Sequence, residues 1–516
     1  MQIGLGFNRK RTSNRFKGLT PLTTELTSDQ LDFYERVIRN WNFYEGYHWE
    51  DIPEQEIPEI TINYCRAFVD KFVAFELGKA FTITTSQEVD EIPVTEDNRT
   101  LFEFLEDVWE DNNQYRFIIE LGQMKSITSK AWVQVTYEKT EDIKKNLPYD
   151  KYPQGRIRLN LLPTHTVFPE YDPHNRDVLL SVTVMYEYEK VTLSPILGRP
   201  RREKVLYKQI WDKEKCIIVD GSEEPVEFKN DLGFIPFVSF NNFVLAGQLG
   251  SRSDLDDIIP LNMEFNLKKS NVSEVIDYHS SPITIVYGAK IGNLEKGANK
   301  LWGGVPKDAR VENLEMNGDG GLSTSYINDL KLAMCEVGGI PETTLGGSQA
   351  ISNTSGVALQ YINLPLIEKT RIKRILTEDG LEELNEMIIY IANLKGLIKK
   401  PENIEVRDFV KTAVDIPDTL PKDELLQLQQ IEAELKLGLE SRVGALKRMG
   451  RENITEKLEE IDKERSEHPD LFGEQPHFYN QENNDFPQIN SGMTNGETPL
   501  ETVRREVTGQ NGGAIQ

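Results

Sequence analysis

Three acidic residues, Asp254, Asp256 and Asp257, stand close enough in the chain to share a divalent cation. Carboxylates holding a metal beside a nucleic-acid strand would supply Lewis-acid and water-activating chemistry for phosphodiester cleavage. The same acids also precede a run of helix-spaced apolar residues, where negative charge suits a helix N-terminus and needs no ligand. A second polar turn, Asn317-Gly318-Asp319-Gly320-Gly321, falls short of a calcium loop because no bidentate Glu follows at the required position. The six histidines, His48, His165, His174, His279, His468 and His477, show no metal-ligand pairing along a helix. Cys65, Cys216 and Cys335 are scattered without CxxC or Cys/His spacing. They fit small buried apolar residues in a reducing compartment better than a disulfide framework, a zinc site or a nucleophile. No GxxxxGK(S/T) phosphate loop, GxGxxG after a strand, GxSxG elbow or HExxH is present. The expectation is a protein with no catalytic residues, no metal and no cofactor. The alternative is a metal-dependent enzyme acting on nucleic acid through the three aspartates.

The elements that would position such residues follow from length, charge and periodicity. With 516 residues the chain exceeds the usual size of one hydrophobic core, so two or more domains are expected. It carries 59 basic against 84 acidic residues, a net charge of -25. A protein that grips DNA phosphates tightly is normally basic, because neutralising phosphates releases counterions. So acidic a chain will not wrap DNA, but it could surround a duplex that must slide. The best apolar run, Met387 to Leu394, is short and interrupted by Asn393, so no membrane span is predicted. The opening MQIGLGFNRKRTSNRFKG has no long apolar region or small-residue cleavage site, which argues against secretion. Residues 1–26, with Arg9, Lys10, Arg11, Arg15 and Lys17, are expected to be a flexible arm.

Thr27 to Gln30 forms a capping-box pattern, and Leu31, Tyr34, Ile38 and Trp41 predict a helix to about Asn42, with an aromatic turn over Tyr44–Trp49. Helices follow at 63–77, 99–112 and 114–129, with the alternating strand Phe81–Thr84 between the first two. From Ala131 to Asn241 the pattern turns to β, with strands at 131–137, 156–161, 178–186, 204–211 and 216–219. The fold class is therefore α+β with a largely antiparallel sheet. A helix from Asp254 to about Tyr278 is next, with Pro260 expected to kink or delay it. Strands at 283–287 and 311–314 punctuate a glycine-containing insert, and Ile327, Leu330, Met334 and Val337 predict a returning helix that stops at Gly338-Gly339-Ile340-Pro341. Residues 342–353, ETTLGGSQAISN, are a mobile loop by composition. A long helix from about Gly356 to Leu394, kinked at Pro365, precedes a short β segment at 404–409. Residues 422–465 are strongly helical with a break near Gly450, and a polar tail from 467 to 516 is expected to be disordered.

At several separated places, in consistent order, the sequence resembles the portal proteins of tailed bacteriophages, the group found in phages of Gram-positive bacteria. The stretches are Tyr44-x-Gly46; Asn63-Tyr64 with Val69-Asp70 leading to Gly78; and Gly250-Ser251-Arg252-Ser253-Asp254-Leu255 running on through Asn262 and Asn266 to Ser270. Further on come Ile340-Pro341 with Leu345-Gly346-Gly347, Thr354-Ser355-Gly356-Val357-Ala358-Leu359, and Leu437-Gly438-Leu439-Glu440-Ser441 before the helix Ile454 to Arg465. A departure is Ser441-Arg442-Val443-Gly444, where such portals tend to have Ser followed shortly by Thr.

The resemblance implies a portal-type ring oligomer, commonly of twelve subunits, at one capsid vertex of the virion, assembled in the host cytoplasm. It implies a wing over 27–250, stem helices over 251–281 and 323–341, a β-rich clip at 282–322 and a tunnel loop at 342–353. A long wing helix at 354–403 and a crown at 404–466 complete it. Double-stranded DNA in transit, the terminase, scaffold and major capsid proteins, and head-completion or connector proteins are the implied partners, with no membrane. Thr343, Thr344, Gly346, Gly347, Ser348, Gln349 and Asn353 of the loop would then face DNA. Lys268, Lys269 and Lys331 would be stem cations touching the channel, the competing reading being ordinary solvated helix faces. Another minor capsid or head protein is the remaining alternative.

Overall fold

The structure, a computed structural model, describes residues 26–49, 58–86, 89, 92–144, 152–175, 178–193, 200–221, 224–245, 250–280, 284–287, 308, 310–313, 320–346, 361–417, 424–449 and 458, 461 and 463. The expected flexible arm, most of the expected mobile loop and the expected disordered tail lie outside these residues. The chain divides into two compact units, Met1–Pro421 and Lys422–Gln516.

The first unit opens with α1 (Ser28–Glu45), where Thr27 and Gln30 satisfy each other's backbone N–H groups as the capping box requires. The helix runs a turn further than its spacing suggested and ends where Gly46 adopts φ +96°, its N–H donating to the Asn42 carbonyl. Next come α2 (Tyr64–Leu77), β1 (Thr82–Thr85), α3 (Leu101–Asp111) and α4 (Gln114–Thr128). The β region contains β2 (Lys130–Glu138), β3 (Arg156–Leu162), β4 (Val167–Tyr171), β5 (Leu179–Leu193), β6 (Pro200–Trp211), β7 (Lys215–Asp220), β8 (Val226–Lys229) and β9 (Phe237–Asn241). Strands β3-β2-β9 make one antiparallel sheet, with Val133 opposite both Leu161 and Val238. Strands β4 to β8 make a second, a five-stranded antiparallel meander. Then follow α5 (Ile258–Ser280), β10 (Thr284–Tyr287), β11 (Arg310–Asn313), α6 (Gly320–Gly338), α7 (Leu364–Lys395) and β12 (Thr412–Asp415).

The bounds of three elements are corrected. The helix expected from Asp254 begins at Ile258, the delay that was one of the two effects expected of Pro260, which lies in the first turn, where its missing N–H breaks no intrahelical bond. At Pro365 the expected helix is interrupted: 361 and 362 are helical, Asn363 is a turn and cap, and α7 begins at Leu364. The β segment placed at 404–409 is a short helix, Val406–Val410; the strand is β12, which alternates buried Thr412 and Val414 with exposed Ala413 and Asp415. It pairs antiparallel with β1, Ile83 opposite Val414, a partner more than three hundred residues earlier.

Two cores result. One packs the second half of α7 (Leu381, Leu384, Ile388) against α3 and the sheet residues Val133, Val238 and Phe240. The other gathers α1, α2 and the first turns of α5 with Ile327, Leu330 and Met334 of α6. The second unit contains α8 (Glu424–Lys436) and α9 (Arg442–Arg448). The break in that helical run falls at Leu437–Ser441, where Gly438 takes φ +71°, and the position expected for it, Gly450, lies outside the described residues. Among the described residues no helix is long and apolar enough to cross a membrane.

Gly380 lets α7 approach β9: a Cβ there would stand 2.7 Å from the Phe240 ring. Gly380→Ala should therefore lower the thermal midpoint, because overpacking costing about 1–3 kcal/mol outweighs a helix-propensity gain of about 1 kcal/mol. An unchanged or raised midpoint in a melting curve would show that the Phe240 ring can yield.

Candidate channel elements and the buried frame beneath them

The helix pair α5 and α6 packs together, α5 leading out to β10 and α6 leading back from β11. At its end β10 and β11 pair antiparallel, Thr284 opposite Asn313 and Tyr287 opposite Arg310. Phe265 on α5 and Ile327, Leu330 and Met334 on α6 are buried in the same core, which holds the pair against α2.

Three polar residues spaced four apart, Asn262, Asn266 and Ser270, are buried along one face of α5. They serve the extended segment before α2. The Ser270 hydroxyl accepts from the Ile60 N–H (3.1 Å), Asn266 from Ile62 (3.0 Å) and Asn262 from Tyr64 (3.1 Å), while the Asn262 amide donates to the Ile62 carbonyl (2.9 Å). Four helical residues rise about 6 Å and two extended residues about 6.6 Å, so the two repeats stay in step. A stretch of backbone with no sheet partner is thereby satisfied by a helix face. The Asn266 amide also meets His48 Nδ1 at 2.7 Å, and His48 Nε2 meets the Phe43 carbonyl at 2.9 Å. That arrangement makes Nε2 the protonated nitrogen of a neutral ring, and burial pushes the imidazole below its ordinary value.

Beneath the start of α5 lies a buried ion cluster. Lys373 of α7 donates to Asp254 (2.7 Å) and contacts Glu76 of α2 (3.1 Å), while Lys125 of α4 pairs with Glu76 and donates to Thr377. Lys369 reaches the other Asp254 oxygen at 3.2 Å, and the Ser126 hydroxyl and Asn242 amide donate to the first at 2.5 and 3.1 Å. The side chains of Glu76, Lys125, Lys373 and Asp254 are wholly out of solvent. Burial alone would raise both carboxyls, yet Lys125 and Lys373 hold Glu76, and Lys373 and Lys369 hold Asp254, below the ordinary carboxylate range. Three cations meet two carboxylates, and the surplus is absorbed unevenly. Burial pushes Lys125 and Lys369 down, whereas Asp254 and Glu76 overcome burial at Lys373 and hold it up.

The three aspartates read as a metal candidate therefore part company. Asp254 is the counter-ion of α7, Asp256 accepts from the Ser253 N–H (3.0 Å) and the Asn40 amide (3.4 Å), and Asp257 pairs with Arg252. Among the described residues no three His, Cys, Asp or Glu side chains form a group that could hold a metal. Neither sequence reading anticipated the role of Asp254. The signal was on α7, where Thr370, Lys373 and Thr377 share the helical phase of Leu366, Leu381 and Leu384: a lysine on a buried stripe demands a partner.

Of the loop residues, Thr343 and Thr344 lie in a 3-10 turn, Glu342–Leu345, that ends at Gly346 with φ +93°. The Thr344 hydroxyl donates to Asn363 Oδ1 at 2.6 Å, which ties this turn to the cap of α7. Gly347, Ser348, Gln349 and Asn353 lie outside the described residues. Lys331 reaches the same base, its ammonium 2.5 Å from Glu342, and that hydrogen bond raises its pKa. Lys268 pairs with Glu264 one turn earlier at 3.2 Å, and Lys269 stands 5.8 Å from the centre of the Phe265 ring. Each of the three lysines thus has a neighbour within its own subunit.

Compared with known families, residues 25–469 match the family described as phage portal protein, SPP1 Gp6-like. The chain belongs to that family. A comparison with curated proteins returns no match. Portal proteins are structural components of tailed phages, the head-to-tail connectors through which DNA is packaged, and that is the function of this chain. The α+β portal fold is built here on the Glu76–Lys125–Asp254–Lys373 cluster, which binds α2, α4 and α7 to the turn entering α5.

Replacing Lys373 by Met takes a buried charged contact from both carboxylates, leaving Glu76 to Lys125 and Asp254 to Lys369, and should cost about 3 kcal/mol, seen as a lower midpoint in urea unfolding. A loss below 1 kcal/mol would mean that water reaches the site. Asp254 and Glu76 have folded pKa values below their unfolded ones, so their stabilisation is complete above the unfolded value near 4 and is lost as pH falls from there through the lower folded values. Asp254→Asn should accordingly be less stable than the parent at pH 7, with the gap narrowing toward pH 3. A gap independent of pH would contradict the ionised role of Asp254.

Proposed function

We propose that this portal protein assembles as a closed ring, commonly of twelve copies, at one vertex of the capsid and conducts double-stranded DNA during packaging and ejection. The observation that carries the reading is the packed pair α5 and α6 with a two-stranded β unit between their far ends. Such a pair is a stiff strut, and copies side by side would line a passage. Residues 251–281 and 323–341 are then the stem and 282–322 the clip, the docking face for the terminase and head-completion proteins. Residues 27–250 and 354–403 form the wing toward scaffold and major capsid protein, and 404–466 the crown side. The tunnel loop is 342–353. Its start is tied to the cap of α7 by Thr344 and Asn363, and its glycine- and serine-containing composition suits a segment beside a moving duplex.

Charge favours passage over capture. A surplus of 25 negative charges gives no strong counterion-release grip on phosphates. Cations already engaged, such as Lys331 with Glu342, would touch DNA only transiently. Energy for packaging would come from the terminase, since this chain carries no phosphate loop.

Negative-stain images of the purified protein should contain rings, and monomers alone at every salt and concentration would sink the reading. Deleting 347–353 should leave rings intact but reduce packaged or retained DNA by at least tenfold in a complementation assay, the size of about 1.4 kcal/mol. Full packaging and retention by the deletion would remove the loop from the channel.

A further inference from the structure

Two helix faces in the first unit are apolar where they meet solvent. On α7 and the residue turn before it, Tyr361, Leu364, Ile372 and Ile375 are exposed by 72, 43, 55 and 48%. Their spacing of three, eight and three puts them on one stripe, opposite buried Leu366, Thr370 and Thr377. Further along the same phase exposed Asp379, Glu383 and Glu386 interrupt it before Tyr390, which packs edge-on against Phe234. On α6, Leu322, Tyr326, Leu332 and Val337 are exposed by 71, 44, 46 and 52%, while Ile327, Leu330 and Met334 are buried along the adjoining face. Apolar stripes of this extent, each bounded by charge, are where soluble chains meet partners.

The charges within the two stripes differ. Asp329 and Glu336 are exposed among the apolar residues of α6, and its lysine, Lys331, is taken by Glu342. The α7 stripe carries Arg371, exposed, with Glu368 one turn before it. No ion pair among the described residues engages Arg371, Asp329 or Glu336. Two α6 stripes facing each other would bring acids onto acids, whereas α7 against α6 sets a cation among acids and apolar residues on apolar residues.

We infer that neighbouring copies join head-to-tail through these faces, the first half of α7 in one copy packing on α6 of the next, with Arg371 set against Asp329 and Glu336. This rests on the ring reading above and names its contact. Two different patches on one copy make a heterologous contact, the kind that closes into a ring when its rotation permits.

The test is sedimentation velocity on the full chain and two variants, Arg371→Glu and the double change Asp329→Arg with Glu336→Arg. Each variant alone should need at least about tenfold more protein for half-assembly, since like charges then face each other across the contact. An equimolar mixture of the two should assemble as the parent does, because every junction between unlike copies again opposes opposite charges. Rescue also shows that each variant is folded. Parent protein that never assembles would overturn the ring reading itself. Parent rings with variants that assemble unchanged, or variants that lose assembly without rescue by mixing, would overturn this contact and leave the ring standing.

Discussion

Taking Glu76, Lys125, Asp254 and Lys373 out of water costs several kcal/mol per ion, and the fold bears that cost only while all four stay in contact. They come from four separate parts of the chain. A shift of any one of α2, α4, α7 or the turn into α5 would therefore expose an unpaired charge to an apolar interior. The cluster therefore couples the mutual placement of these elements to the pairing of its charges. Two further donors, Ser126 and Asn242, saturate one Asp254 oxygen, so the carboxylate cannot rotate away without losing three bonds.

The rest of the first unit builds outward from that point. Leaving the cluster, α5 carries its ladder of Asn262, Asn266 and Ser270 along the extended segment 60–64 and so fixes the approach to α2, which itself supplies Glu76. The two connections share the same pair of helices and restrain both their spacing and their register. On the other side, α7 runs from the loop base at Asn363, past Lys373, to the sheet core at Leu381 and Leu384. Strain arising at the loop between α6 and α7 would thus be transmitted to a rigid charged anchor about three turns away. A portal subunit that must hold its frame while DNA passes gains from an anchor that resists displacement.

Much of the local structure was legible in the chain. The capping box at Thr27, the helical spacing of Tyr34, Ile38 and Trp41, the helix beginning near Asn63 and the strands β2 and β3 all appear close to where the pattern put them. Pro260 and Pro365 mark where α5 and α7 begin, although how far a proline displaces a helix start depends on where the preceding turn is anchored. The failures share a cause. Strand β12 is defined by its partner β1, so a six-residue window could not separate it from the short helix beside it. Asp254 looked like a helix-end acid because its lysines lie 115 and 119 residues further along the chain.

By itself the sequence determined the class of the protein: α+β, acidic, without nucleotide or metal motifs, with a helix–β–helix insert and the ordered motifs of a phage portal. Those properties live in composition and short-range periodicity, which a linear chain records directly. Only the tertiary structure decided which polar residues are partners. Burial creates the demand that a charge be matched and distance along the chain does not limit who meets it, so Lys373 with Asp254, and Asn262 with the backbone of Tyr64, became visible once the helices were packed.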